Sequence, residues 1–193
     1  MRVFIIPTFL FNLEYIQGVI YLIESLGMRD INKNVDERGF FSELIRDDWK
    51  DLLKSDKIVQ FNLSYSYPGI VRAWHRHNMG QFDCFTCIDG AVKVCAYNDR
   101  PDSATFGEID EIILSRERLM QLKVPGVLWH GYMVVSDKPA TVLYGVNKLY
   151  DYKNPDEERR PWNDEKVVPL SVNGKKNDPR VGKPWDWNYL PYK

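Results

Sequence analysis

The stretch PGIVRAWHRHNMGQFDCFTCIDG, residues 68–90, holds two of the three histidines of the chain. His75 and His77 are two residues apart, so on a β-strand both side chains project from the same face. Gln81 and Asp83 have the same parity in the apolar run that follows. Burying polar, titratable side chains on an apolar β-surface is costly, so this pattern predicts a functional site.

Short apolar segments separated by Gly and Pro fill most of the chain. The segment KIVQFNLSYS, residues 57–66, alternates between a polar side with Gln60 and Asn62 and an apolar side, with Phe61 and Leu63, that is expected to pack. Only DDWKDLLKSD has helical spacing. Further strands are predicted at AVKVCAY, DEIILS, MQLKVP, VLWHGYMVV and ATVLYGVN. Such spacing is typical of an antiparallel sandwich or barrel.

Length and composition exclude several classes of protein. The 193 residues, of which 44% are hydrophobic, are enough for one domain with a sizeable core. A formal net charge of -1 argues against a nucleic-acid binder. The apolar run near the N-terminus is broken by Pro7, so no membrane span is expected, and a strand is predicted at residues 17–24.

The cysteines predict structural thiols. Cys84 and Cys87 form a CxxC, but residues three apart on a strand face opposite ways, and no second CxxC is present to complete a zinc site. Together with Cys95 they are expected to be buried and unpaired, which favours a cytoplasmic location.

Composition changes after Tyr150. The last segment, PWDWNYLPYK, is rich in aromatic residues that a solvated tail does not need. We therefore expect a barrel domain over residues 1–165, followed by a tail over residues 166–193 that packs on the barrel or on a second subunit.

Six segments follow one another in the order of the motifs of a known family. They are DERGFFSE (36–43), VQFNLSYSYPGIVRAWH (59–75), ATFGE (104–108), VPGVLWHGYMVVSD (124–137), VLYGVNKLYD (142–151) and PWND (161–164). In these segments the chain resembles the dTDP-4-dehydrorhamnose 3,5-epimerase family. The resemblance implies an all-β double-stranded β-helix, the cupin jelly roll, with short peripheral helices and an extended C-terminal tail. It also implies a homodimeric isomerase, without metal or cofactor, that inverts C3 and/or C5 of a nucleotide-linked 4-keto-6-deoxy sugar.

The resemblance also implies roles for individual residues. His75 would be the base that removes a proton beside the ketone, and Tyr144 the acid that returns one on the opposite face. An aspartate near the chain end, with Asp178 as the candidate, would orient the base. Arg72 and His130 would hold the sugar. The remaining substrate contacts would be His77, Gln81, Asp83, Arg38, Phe41, Glu43, Gln60, Asn62 and Tyr150.

The chemistry of these residue types agrees with the implied roles. A base that removes a proton beside a ketone needs a pKa near neutrality, and histidine starts at about 6.5. The enolate oxygen then needs a positive or hydrogen-bonding partner. Inversion requires a proton donor on the far face, and a tyrosine hydroxyl can serve.

Two departures from the family pattern fall in the sugar half of the expected pocket. Asp83 stands where the family usually has a lysine, and the motif R-G-L-H has become Arg72-Ala73-Trp74-His75. An altered substrate or a single epimerisation is therefore expected. Strict alternation also places Arg72 on the face opposite His75, so a β-bulge is expected near Ala73 or Trp74.

Three other interpretations stay open. His75, His77, Gln81 and His130 have the spacing of the ligands in metal-binding cupins, and could hold iron, nickel or manganese in a dioxygenase or sugar isomerase. A nucleotide-sugar 3,4-ketoisomerase would carry a similar H-x-H. A sugar-binding regulatory cupin would follow if Asp83 had abolished catalysis.

Overall fold

The structure is a computed structural model that describes residue 23 and residues 26–190. The strand predicted at residues 17–24 lies outside these residues, apart from Ile23. The strands are β1 Gly27–Asp30, β2 Asn34–Asp36, β3 Gly39–Phe41, β4 Gln60–Ser66, β5 Val71–Arg76, β6 Phe82–Asp89, β7 Ala91–Tyr97, β8 Glu108–Ser115, β9 Met120–Pro125, β10 Trp129–Val134, β11 Ala140–Val146, β12 Glu158–Arg159 and β13 Ser171–Val172. The described helix is α1, Lys50–Leu53.

Two sheets pack face to face. One has the strand order β1-β9-β6-β11-β4 and the other the order β12-β5-β10-β7-β8-β13. Strands β2 and β3 form a separate hairpin. The predicted all-β jelly-roll class is therefore confirmed, as is the short helix within residues 47–56. In the part of the chain that the structure describes, no helix is long and apolar enough to cross a membrane.

The alternation of β7 shows how the core is divided. Val92 and Val94 point between the sheets, into the larger apolar cluster. Cys95 and Tyr97 point to the other side, into a second cluster that contains residues of the C-terminal segment. The six-stranded sheet therefore has apolar side chains on both faces, because one face packs on the other sheet and the second is covered by the C-terminal segment.

The C-terminal segment packs on the barrel through aromatic side chains. Trp187 is 1% exposed, and its ring lies 4.8 Å from the ring of Trp74 on β5. The ammonium of Lys93 on β7 donates a hydrogen bond to the backbone oxygen of Trp187 at 2.5 Å. Trp74 is thus held from outside the barrel, next to His75 in the chain.

Strand β4 carries its polar and apolar side chains on opposite faces, as the alternation predicts. The apolar face was expected to pack, and within one chain this expectation is wrong. Phe61 is 50% exposed and Leu63 is 66% exposed. The strand lies at the edge of its sheet, with β11 as its neighbour. Its apolar face is therefore left uncovered in the single chain.

A β-bulge lies where the parity of Arg72 and His75 requires one. His130 pairs with His75 and Tyr132 pairs with Arg72, so three steps on β5 match two steps on β10. Gly131 lies at this irregularity, where an added Cβ would be 2.3 Å from the Cβ of Ala73. The close approach of the two backbones therefore requires glycine here, and the predicted bulge is confirmed.

The cysteines lie in the core, as predicted. All three are free and buried. Cys84 and Cys87 fall in different apolar clusters on opposite faces of β6, and burial raises the pKa of each to about 12. They are inert structural thiols.

Candidate active site

The candidate site is a cavity of about 510 Å³ between the two sheets. Strand β5 of the six-stranded sheet supplies His75, and the five-stranded sheet supplies Asp83 from β6 and Tyr144 from β11. Because each strand alternates, the polar residues of these strands can face the cavity while their neighbours enter the core. The wall is completed by the chain from Lys148 to Arg160.

The three imidazoles converge on Asp83. Its Oδ2 atom lies 3.1 Å from Nε2 of His130, 3.7 Å from Nε2 of His77 and 3.8 Å from Nε2 of His75. Asp83 is 2% exposed and His130 0% exposed. The second carboxylate oxygen of Asp83 accepts a hydrogen bond from the Gln81 amide at 3.0 Å. Asp83, rather than a residue near the chain end, is the carboxylate beside His75.

Backbone oxygens fix the rings of two of the histidines. Nδ1 of His130 donates to the oxygen of Leu128 at 2.8 Å. Nδ1 of His77 donates to the oxygen of Asp156. A carbonyl oxygen can only accept, so Nδ1 of each ring carries a proton and Nε2 faces Asp83. Nε2 of His77 also lies 3.2 Å from the amide nitrogen of Gln81, which can donate to it.

Burial and charge set the protonation of the cluster. Burial, assisted by the neighbouring His130 ring, lowers the pKa of His75 to about 4, so this imidazole is neutral at pH 7 and can accept a proton. Burial raises the pKa of Asp83, but hydrogen bonds from the imidazoles, His130 first, outweigh it and hold the pKa well below its usual value. Asp83 is therefore a carboxylate at neutral pH.

Tyr144 lies on the five-stranded sheet of the same cavity. Its ring centroid is 5.5 Å from that of Phe85, which in turn lies 6.0 Å from His130. Burial, with the charge of Asp83 adding to it, raises the pKa of the Tyr144 hydroxyl. The phenol is therefore protonated at neutral pH and can donate a proton into the cavity.

Arg72 and two amide side chains line the rest of the cavity. The bulge brings Arg72 to the cavity, where its Nε donates to Ser66 at 2.8 Å. Gln60 and Asn62 project inward from β4 and are bonded to each other at 2.8 Å. Gln60 also accepts from the backbone of Tyr150, whose half-exposed ring lies at the cavity rim. A guanidinium, amides and an exposed ring can hold a phosphate, hydroxyl groups and a nucleobase.

Comparison with known proteins gives the family. A sequence model of dTDP-4-dehydrorhamnose 3,5-epimerase matches residues 22–171. The chain is 39% identical over 140 residues to a probable low-salt glycan biosynthesis epimerase of Haloferax volcanii, covering 72% of this chain and 88% of the relative. The chain belongs to the dTDP-4-dehydrorhamnose 3,5-epimerase family.

The chain is similar to two further proteins. The spore coat polysaccharide biosynthesis protein SpsL of Bacillus subtilis is 37% identical over 146 residues, covering 76% of this chain and 94% of that protein. The crystal structure of dTDP-4-dehydrorhamnose 3,5-epimerase from Bacillus anthracis, with TDP and PPi bound, is 26% identical with a TM-score of 0.68. The match covers 86% of this chain and 91% of that one.

One residue that the family resemblance suggested lies elsewhere. The carboxylate of Asp178 accepts hydrogen bonds from Arg180 at 2.9 and 3.0 Å. Arg180 also donates to Glu111 on β8 at 2.7 Å, which ties this loop to the outside of the barrel. The expectation that Asp178 orients His75 is therefore wrong, because its carboxylate is engaged by a neighbouring guanidinium.

Three expected nucleotide contacts are not brought to the cavity of their own chain. The side chain of Arg38 is 83% exposed and paired with Asp36 at 2.5 Å, while Phe41 is 67% exposed. Glu43 is paired with Arg46 at 2.7 Å. Arg38 and Phe41 belong to the β2–β3 hairpin and its turn, and Glu43 follows directly after it.

Sequence reasoning missed the cations on the far wall of the cavity. Arg159 and Arg160 line it, and the β12 residue Arg159 pairs in register with His75. Lys148 lies on the same wall. The signal was present as a basic pair directly before the PWND motif, but nothing local to it indicates that this segment adds a strand beside β5.

Proposed function

We propose that this member of the family epimerises a nucleotide-linked 4-keto-6-deoxy sugar at C3, at C5 or at both, in deoxysugar or polysaccharide biosynthesis. The observation that carries the proposal is a neutral imidazole and a protonated phenol, His75 and Tyr144, lining one cavity from two facing sheets. Relatives at 37–39% identity carry names from polysaccharide and glycan biosynthesis.

In the proposed reaction His75 removes the proton on the carbon beside the ketone, leaving an enolate and an imidazolium. The low pKa of His75, about 4, keeps the ring in its accepting form. Asp83, whose carboxylate lies 3.8 Å away, stabilises the imidazolium once it forms. Tyr144 then donates its proton to the opposite face of the carbon, which inverts the centre. After release the imidazolium of His75 loses its proton to solvent and the phenolate of Tyr144 takes one from solvent, which restores both residues.

The enolate oxygen and the diphosphate need positive partners. Arg72 is positioned by Ser66 at the sugar end of the cavity and can donate to the enolate oxygen. Arg159 and Arg160, with Lys148, give the outer wall cationic groups suited to a diphosphate. The half-exposed ring of Tyr150 is suited to stacking on the base.

The same proposal includes a homodimer. The uncovered apolar face of β4 carries Phe61, Leu63 and Tyr65, each at least 50% exposed. Contiguous apolar surface of this kind marks an interface. A second chain on this face would also account for the hairpin residues Arg38 and Phe41, which can contact nucleotide only if they reach a cavity other than their own. A cytoplasmic location, expected from the reduced buried thiols, belongs to this proposal too.

Solvent exchange tests the reaction directly. The protein is incubated in heavy water with a dTDP-linked 4-keto-6-deoxy sugar, and the sugar is followed by mass spectrometry and proton NMR. Incorporation of deuterium at C3 or C5, with inversion, is the expected result, and the number of labelled centres distinguishes one epimerisation from two. A sugar that gains no mass would overturn the proposal.

A further inference from the structure

We propose that His75, His77, Asp83 and His130 form a binding site for a divalent first-row transition-metal ion. One ligand atom from each residue lies within 4.8 Å of all the others. Three imidazole nitrogens and one carboxylate oxygen are a donor set that suits manganese, iron, cobalt, nickel or zinc.

The orientation of two rings carries the argument. The Nδ1 atoms of His77 and His130 donate to backbone oxygens, so the Nε2 atoms face Oδ2 of Asp83, and Nε2 of His77 also faces the Gln81 amide at 3.2 Å. A ring nitrogen 3.1 Å from a carboxylate oxygen, as in His130, needs a cation between the two atoms, either a proton on the nitrogen or a metal ion. A backbone carbonyl on the second nitrogen is the usual device that orients a metal-bound histidine.

A metal ion fits this arrangement better than an added proton does. One proton can lie between a single nitrogen and the carboxylate, whereas three nitrogens surround the same oxygen. Ligands held about 2.1 Å from an ion at right-angled or tetrahedral positions are roughly 3.0–3.4 Å apart. The three separations from Asp83, 3.1, 3.7 and 3.8 Å, are near these values, and the four ligand atoms, which lie within 4.8 Å of one another, would draw closer together around an ion.

The carboxylate of the site is Asp83, whereas the sequence pattern suggested Gln81 as the fourth ligand. The Gln81 amide nitrogen donates to Oδ1 of Asp83 at 3.0 Å. That bond orients the carboxylate and leaves Oδ2 directed at the imidazoles. A buried anionic ligand, 2% exposed, binds a divalent cation more strongly than a neutral amide does.

Metal binding would compete with the proposed reaction. The ion would use the Nε2 lone pair that His75 needs to remove a proton, so the loaded protein should not catalyse exchange. This consequence rests on the proposed function, whereas the site itself does not.

Cobalt(II) titration tests the site. Chelator-treated protein is titrated with Co²⁺ by calorimetry and visible absorption, and elemental analysis is made of protein purified without chelator. One equivalent is expected to bind, with ligand-field bands. Asp83→Asn and His130→Gln should each weaken Co²⁺ binding by about 100-fold or more. Asp178→Asn, which changes a partly buried carboxylate elsewhere on the barrel, should leave it unchanged. Circular dichroism checks that the variants fold.

Two results would overturn the inference. If wild-type protein takes up no Co²⁺, the four residues share protons and do not bind a metal ion, whatever the variants do. Deuterium exchange that continues at full cobalt occupancy removes His75 from the ligand set; the expected result is inhibition that a chelator reverses. If chelator-treated protein never exchanges deuterium into the sugar, only the proposed function is contradicted, because the Co²⁺ titration tests the metal site independently.

Discussion

His75 and His130 are partners across neighbouring strands, with their ring centroids 4.3 Å apart. His130 is held from behind by the Leu128 oxygen, so its ring cannot turn away from His75. Burial, and after it the contact with His130, lowers the pKa of His75 and leaves it neutral in the range where the proposed reaction runs. His130, in the barrel interior, thereby helps to keep the proposed base in its proton-accepting form.

Replacing the proposed base should stop proton removal. In His75→Asn the rate of deuterium incorporation at every exchanging centre is expected to fall by about 10²–10⁴-fold, the usual contribution of a positioned base. The measurement is initial-rate mass spectrometry in heavy water. Near-normal exchange in this variant would move the role of base to Tyr144.

Removing the proposed acid should separate exchange from inversion. Tyr144→Phe keeps His75, so deuterium incorporation is expected to stay within about threefold, while formation of the inverted sugar falls about 100-fold. Proton NMR of the product measures both. Tyr97→Phe, a buried tyrosine of the second apolar cluster, is the control and should retain both activities. Equal loss of exchange and inversion in Tyr144→Phe would contradict the assignment.

Asp178 should contribute to stability and not to catalysis. Burial raises its pKa, but the hydrogen bonds from Arg180 outweigh it, so the folded-state pKa lies below the unfolded value. Its stabilisation is therefore present above about pH 4 and is lost as pH falls through the lower, folded-state pKa. At pH 7, Asp178→Asn is expected to lose about 1 kcal/mol, roughly 2–4 °C in Tm.

Thermal denaturation between pH 7 and pH 3.5 measures this dependence. The difference in Tm between wild type and Asp178→Asn should become smaller below about pH 4. Asp102→Asn, at an exposed position, should show no such pH-dependent difference in Tm. A variant that keeps its stability but loses exchange would restore Asp178 to the catalytic group.

The uncovered face of β4 should hold two chains together. Sedimentation should give about twice the 22.7 kDa of one chain. Leu63→Lys places a charge on a 66% exposed position of this face and should yield monomers. Ile113→Lys, at a 40% exposed position of the other sheet, is the control and should remain dimeric. A wild-type monomer, or an unaffected Leu63→Lys, would place any interface elsewhere.

Local pattern predicted much of the fold, because alternation and Gly or Pro breaks are properties of neighbouring residues. It correctly placed Gln60 and Asn62 inward and anticipated the bulge that brings Arg72 to the cavity. It could not predict that Asp83 of one sheet meets His130 of the other, since that depends on how the sheets stack. The same limit explains Asp178, whose partner two residues away could be known only from the loop's conformation.

Strand β4 presents Gln60 and Asn62 to the cavity and Phe61 and Leu63 to the outside. One extended segment thus belongs to the wall of the cavity and to the surface that is expected to meet a second chain. Assembly and substrate affinity are then thermodynamically linked: diluting the enzyme below the dissociation constant of the dimer should raise KM well before any loss of β-structure.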